Sequence, residues 1–485
     1  MKRIKLILVL AAINFIFIPS LFAEIRLPAI VSSDMVLQRN TTVVLWGWAN
    51  SRDRITIETS WEAGRLETRA DRDGNWRVEV KTTKSKEPQT ITIRNNSSEI
   101  TLENILFGEV WLCSGQSNME QPLIGFNGEP TFGSNMAIAN SHNPNLRLFT
   151  VERSASKTPE KDIERYRAWQ HASPGNVANF SAIAYFFGQQ LQQILDCPVG
   201  IIHTSWGGSS VQAWMSKEVL SQYQEVNLDN VDITVRTNQT PTLLYNAMID
   251  PLIPYTIRGA LWYQGESNRL EPDYYKQLFP AMVQDWRTRW GIGDFPFYYV
   301  QIAPFYYREH SDAYETVENS AFIREAQLQC LDLIPNSGIA ITMDIGSEFS
   351  IHPPQKKEVA DRLLFNALNQ TYGFDNVAYA SPAYESLEVQ DGGIVLQFRN
   401  AERGMYAFDG LTGFEIAGND KVFYPATATI VNRRNVFVIS ERVTEPVAVR
   451  YGWRNWIKGT LLNTYLLPAS SFRTDDWDDA IRAEE

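Results

Sequence analysis

The feature that most constrains this chain is a change of hydrophobic period near residue 107. From there to about residue 373, short apolar runs at 110–113, 199–203, 257–263, 297–302 and 339–343 are interspersed with stretches of helical spacing. One stretch puts Ile183, Phe187, Leu191 and Ile194 on a single face, a second covers 274–290, and Pro353-Pro354 opens a third in which Val359, Leu363 and Ala367 recur every fourth residue. Strands that alternate with helices predict a parallel sheet covered on both faces, because a parallel crossover needs a long connection and a helix supplies it.

The flanking segments read as β structure. Alternating runs at 42–48, 55–58, 76–80 and 90–94 precede the change, with Asp73-Gly74-Asn75 predicting a tight hairpin. Runs at 393–398, 435–440 and 448–452 follow it, broken by turns such as Asp391-Gly392, and the acidic end, 475–485, is expected to be solvated. The expected division is a leader at 1–23, an N-terminal β module at 24–105, an α/β domain at 106–373 and a C-terminal β module at 374–485. A chain of 485 residues accommodates this, at about 150 residues per domain.

The leader carries Lys2, Arg3 and Lys5, then an apolar run at 6–18 interrupted only by Asn14, then Ser20 and Ala23 before Glu24. That is the pattern of a secretory signal peptide, and the run is too short for the ~20 residues that span a bilayer. The expectation is an exported protein, periplasmic or extracellular, with no stable membrane span once the leader is removed. Lys plus Arg total 44 against 56 for Asp plus Glu, which disfavours nucleic acid and anionic lipid as partners. The three cysteines, Cys113, Cys197 and Cys330, cannot all pair internally and are expected to be buried free thiols. Without a CxxC or a His/Cys pair at ligand spacing, structural zinc has no support.

In an open α/β sheet, ligands sit beyond the carboxyl ends of the strands, so the loops after the strands carry the chemistry. The first holds Gly115-Gln116-Ser117-Asn118, the second Ser205-Trp206-Gly207-Gly208, the third Gln264-Gly265-Glu266-Ser267-Asn268, and the last runs from Asp344 to Pro353. Ser117 suits a nucleophile beside backbone donors, although a serine there taken alone is more often a helix cap. A hydroxyl needs a base, and there are five histidines. His142, His171 and His310 read as surface residues and His203 as a buried strand residue; His352, after the last strand and just before the Pro-opened helix, is placed either to converge on Ser117 or merely to pack at a helix start. Gly207-Gly208 forms either a tight turn or part of an oxyanion hole. Gln264 offers a further donor, and Glu266 either orients neighbouring groups or pairs with an arginine.

These motifs, together with Trp262-Tyr263 before Gln264 and Ile351-His352-Pro353, resemble the sialate O-acetylesterases and related carbohydrate acetylesterases of the SGNH hydrolase superfamily. The similarity extends from Leu27-Pro28 to Phe472-Arg473. It implies a flavodoxin-like three-layer hydrolase domain between β-sandwich-like modules, with Ser117 as nucleophile and His352 as base. It also implies an oxyanion hole from the Ser117 N–H, Gly207 or Gly208, and Gln264, and no metal or organic cofactor. One position departs from the pattern. The aspartate usual three residues before the histidine is here Phe349, which leaves Asp344, Glu348 or a backbone carbonyl to orient the imidazole. The implied substrate is an O-acetylated sugar, sialic acid first and acetylated xylan or another glycan second. An inert glycan-binding protein is the non-enzymatic alternative, and no oligomeric state is implied.

Overall fold

The computed structural model describes residues 24–224, 226, 228, 233–307, 314 and 316–483; the leader expected at 1–23 and His310 lie outside them. The chain builds a mixed α/β fold on a large, mainly parallel sheet. Its main path is formed by β1 (Glu99–Gly115), β2 (Asn143–Val151), β3 (Tyr166–Ala172), β4 (Val199–Ser205), β5 (Gly259–Tyr263), β6 (Phe297–Val300) and β7 (Ser337–Ala340), in the spatial order β7-β6-β5-β1-β4-β2-β3. All neighbours run parallel except β3, which closes one edge antiparallel to β2. The chain works to one side of β1 and then to the other, so the order reverses at β1 and opens a crevice at its carboxyl end.

Helices α1 (Ala182–Leu195), α2 (Pro272–Trp290), α3 (Ala321–Leu333) and α4 (Lys356–Asn366) cover the sheet. Two buried clusters result. Leu191, Phe187 and Leu363 pack on one side with Ile201 and Leu261, while Trp262, Phe279 and Trp286 pack on the other. Ile194, expected on the inner face of α1, is instead exposed near the helix end. The expected helix after Pro353-Pro354 begins only at Lys356.

Two of these seven strands were not legible in the sequence. In β2 the apolar run is interrupted by Arg147, which is buried and bonds the Pro144 carbonyl and Asp34. β3 is polar because, at the sheet edge, most of its side chains face solvent. The hairpin expected at Asp73-Gly74 is not one. Gly74 does turn at φ +85°, but Arg65–Arg69 before it pairs with Arg54–Thr59, and Asn75–Lys81 after it pairs with Thr42–Trp48. Asp391-Gly392 does close a hairpin, between Ala383–Gln390 and Gly393–Arg399, with both residues at positive φ as a two-residue turn requires.

No linker separates the N-terminal strands from the α/β region. β1 pairs with Gln89–Arg94 up to Ile105, with Val36–Gln38 from Leu106 to Gly108, and with β4 and β5 beyond. The boundary expected at 105/106 thus falls inside one continuous strand. At the acidic end Asp476, Asp478 and Asp479 are exposed as expected, but the backbone is tied down. Asp475 is buried against Arg450, Ala480 is fully buried, and Ile481–Arg482 pairs with Val422–Phe423. The three cysteines are buried and free; burial pushes Cys197 up to about 11 and Cys330 up to about 12.

Candidate active site

At the end of β1, Gly115 has φ +138°, and a Cβ there would lie 2.1 Å from the Tyr263 carbonyl oxygen. Only glycine lets β1 break so close to β5 and turn into the short helix Ser117–Glu120. Gln116 is the residue that caps that helix, so Ser117 is its first helical residue and its hydroxyl does no capping. Ser117 Oγ instead meets His352 Nε2 at 2.7 Å, across 235 residues of sequence.

His352 Nδ1 lies 2.7 Å from Glu129 Oε2. Neither carboxylate expected from the sequence holds this place. Asp344 is turned away and clamped by Arg362 through bonds of 2.8 and 2.6 Å, and Glu348 meets its neighbours through its backbone carbonyl, which takes the Tyr306 N–H. Phe349 points to solvent with 79% of its surface exposed. The segment carrying Glu129 is built for presentation. Gly125 turns at φ +85°, where a Cβ would stand 2.4 Å from the Glu129 carbonyl oxygen, and the backbones of Phe126 and Glu129 bond to each other. Buried Gln121 reaches back to the carbonyls of Glu129 and Pro130. The Phe126 ring meets the His352 ring edge-on, and Ser350 Oγ bonds both Glu129 and the His352 backbone. Burial holds His352 below the ordinary imidazole value, with Glu129 opposing it.

The donors around Ser117 sort into free and committed. The Gly207 N–H donates to Glu120 Oε2 at 2.8 Å, and that carboxylate is gripped by Arg153 through two bonds of 2.6 Å. Gly207 nevertheless lies beside Ser117, since a Cβ on it would stand 3.2 Å from Ser117 Cβ. Gln264, fully buried, spends its amide hydrogens on the Ser209 carbonyl at 3.0 Å and Asn268 Oδ1 at 2.7 Å. It braces the loop after the Gly207-Gly208 turn, with both amide hydrogens engaged within the protein. The N–H groups of Ser117 and Gly208 carry no hydrogen bond among the described residues. No cluster of three or more His, Cys, Asp or Glu fit for a metal ion occurs among the described residues.

This arrangement can be set beside known proteins. Residues 107–353, about half of the chain, match the family model of carbohydrate esterases described as sialic acid-specific acetylesterases. The chain belongs to that family. It is a carboxylic ester hydrolase. A solved carbohydrate acetylesterase from Xanthomonas citri is 34% identical, with 93% of this chain and 100% of that one covered and a TM-score of 0.85. The sialate O-acetylesterases of Pongo abelii and Homo sapiens are 28% and 27% identical, each over 89% of this chain and 88% of theirs.

The family motifs around Ser117 also tie this carbohydrate esterase's loops together. Gln116 Oε1 accepts the Gly265 N–H at 3.3 Å. Asn118 Nδ2 donates to Glu266 Oε1 at 2.6 Å and to the Ile351 carbonyl at 3.0 Å, while its Oδ1 accepts from Lys356 Nζ at 2.6 Å. Glu266 therefore meets an amide rather than the arginine weighed for it. Burial raises Glu266 above the usual carboxylate range, with Asn118 and Lys356 opposing, and burial pushes Lys356 down to about 7. Of the other histidines, His203 is buried on Ser205 Oγ at 2.6 Å and pushed down to about 4 by burial, while His142 and His171 are exposed.

Sequence reasoning missed Glu129, Lys356 and the Glu120–Arg153 pair. The cluster of turn formers Gly125, Gly128 and Pro130 around a lone carboxylate, soon after Ser117, was the available signal for Glu129. Lys356 had none, since a lysine among Lys356-Lys357-Glu358 reads as a solvated helix start.

Proposed function

We propose that this family member removes O-acetyl groups from sugars through an acetyl-enzyme at Ser117, with O-acetylated sialic acid as substrate. The observation that carries this reading is the relay Ser117 Oγ–His352 Nε2, His352 Nδ1–Glu129 Oε2, both links at 2.7 Å. Ser117 Oγ attacks the acetyl carbonyl while its proton passes to His352 Nε2, and Glu129 holds the tautomer and the imidazolium that forms. The tetrahedral oxygen takes the Ser117 and Gly208 N–H groups, the free donors at the turn. His352 then returns the proton to the departing sugar oxygen. Water, deprotonated by His352, attacks the acetyl-serine, and acetate leaves as the proton returns to Ser117. The names of the mammalian relatives favour sialic acid. Acetylated xylan or another glycan is the second reading, favoured by the broader name of the Xanthomonas citri relative. The intact relay weighs against an inert glycan binder.

The leader at 1–23 supports export to the periplasm or beyond as part of the same proposal. We also read the strands outside 106–373 as β-sandwich-like modules around a flavodoxin-like core.

The test is acetate release from O-acetylated sialic acids and acetylated xylo-oligosaccharides, with a simple aryl acetate as control. Release from the sialic acids at the higher kcat/KM supports the reading. Release from the xylo-oligosaccharides alone moves the substrate to the second reading, and an aryl acetate rate unaffected by Ser117→Ala overturns the site.

A further inference from the structure

We propose that Lys356 is a positioning residue for this reaction: through Asn118 its ammonium locks the nucleophile turn to the histidine loop, and its charge faces His352. The inference rests on the Ser117–His352 reading and adds a residue to it.

A lysine is out of place here by every local rule. It opens α4, where the helix dipole disfavours a cation, and it is 1% exposed. Its neighbour Lys357 does what a surface lysine does, pairing with Asp361 on the outer face of the same helix. Lys356 turns inward to a single hydrogen-bond acceptor, Asn118 Oδ1, at 2.6 Å. Donation from Lys356 fixes which end of the Asn118 amide is oxygen, so both amide hydrogens point at Glu266 Oε1 and the Ile351 carbonyl. Asn118 follows the nucleophile in sequence, and Ile351 precedes the base. One buried amide, oriented by one buried cation, thus spans the two halves of the proton-transfer pair.

The charged groups facing Lys356 are Glu266 and Glu129; those facing His352 are Glu129, Glu120 and Lys356 itself. Below about pH 7, where Lys356 is charged, its ammonium opposes protonation of His352, and the base must be neutral to accept the Ser117 proton. Removing that charge raises the pH at which His352 becomes protonated, so the acidic limb of the rate profile moves to higher pH. Removing the hydrogen bond frees the Asn118 amide to rotate, which loosens the hold on Ile351. Misplacement of about 1 Å between reacting groups costs on the order of 10²-fold in rate.

The experiment compares Lys356→Met and Lys356→Gln in the full chain on a simple aryl acetate, with kcat, KM, the pH profile of kcat/KM and Tm for each. Lys356→Gln keeps an N–H donor for Asn118 without the charge. The expected result is a kcat loss of about 10- to 100-fold for Lys356→Met at little-changed KM, a smaller loss for Lys356→Gln, and the same upward shift of the acidic limb in both. Unchanged kcat and limb in both variants overturn the proposal. So does an equal loss in both with an unmoved limb, which is what a merely structural lysine gives; if only Lys356→Gln folds, its limb decides. Ser117→Ala, run alongside, separates failure of this inference from failure of the underlying site.

Discussion

Two buried glutamates stand at opposite ends of the central sheet, and they are held in opposite ways. Glu109, in the first part of β1 after its crossing from the N-terminal strands, is met by Arg39 and Arg258 at 2.7 Å each, with Gln38 and Tyr372 completing its shell. Burial alone would raise it, yet the two guanidinium groups outweigh burial and hold it below the usual carboxylate range. Glu266, beyond the carboxyl end of β5, meets the Asn118 amide, and its second oxygen has no hydrogen-bond partner. Burial wins there, and its protonation shifts upward. The same residue type, buried at both places, is held as an anion where it joins segments and shifted towards protonation where chemistry is proposed. The partner decides, not the depth.

The sharpest way to break this contrast is to show that the carboxyl end does not control rate. Ser117→Ala should lower kcat on an aryl acetate by about 10⁴-fold or more with Tm unchanged; retention of activity moves the chemistry elsewhere. Glu129→Gln should cost about 10²- to 10⁴-fold, because the imidazole loses the anion that orients it and stabilises its protonated form. Asp344→Asn should keep kcat within about threefold of the parent, since that carboxylate serves Arg362. Equal losses in these two variants, measured side by side, would restore the assignment expected from the sequence.

At the opposite end the effect should fall on stability. Glu109→Gln leaves two guanidinium groups without their anion and should cost about 3–5 kcal/mol in denaturant unfolding, with kcat unchanged in the folded protein. Because the folded-state pKa of Glu109 is lowered, its contribution is present above the ordinary carboxylate value and is lost as pH falls through the lowered one. Glu266→Gln should change stability by only about 1 kcal/mol, since a neutral amide replaces a group that burial already drives towards neutrality. The smallest effect is in the rate profile of the parent protein. His352 is held below the ordinary imidazole value, so activity should persist as pH falls past that value and decline only through the lowered one.

The parts legible in the sequence share a physical character: they are local. Apolar runs at 110–113, 199–203 and 297–302 announced strands because each is buried on both faces, and the turns after them had to carry small and polar residues. Ser117 and His352 were found because the loops after parallel strands converge. Glu129 was not found, because its contact with His352 spans 223 residues and lies in a segment outside the strand–loop pattern. The partners of Gln264 and Gly207 were not legible for a related reason. A sequence shows that a donor exists, but not that Ser209, Asn268 or Glu120 has already claimed it. β2 stayed hidden because a buried, satisfied Arg147 looks polar in a sequence.

The unbroken course of β1 has a practical consequence. Its first residues lie among the N-terminal strands and its last lead directly into Ser117, so no cut near residue 105 yields two detachable pieces. Trimming the front of the protein strips Val36–Gln38 and Gln89–Arg94 from the strand that leads into Ser117. A shorter version meant to isolate the catalytic part would therefore begin with a frayed strand at its centre.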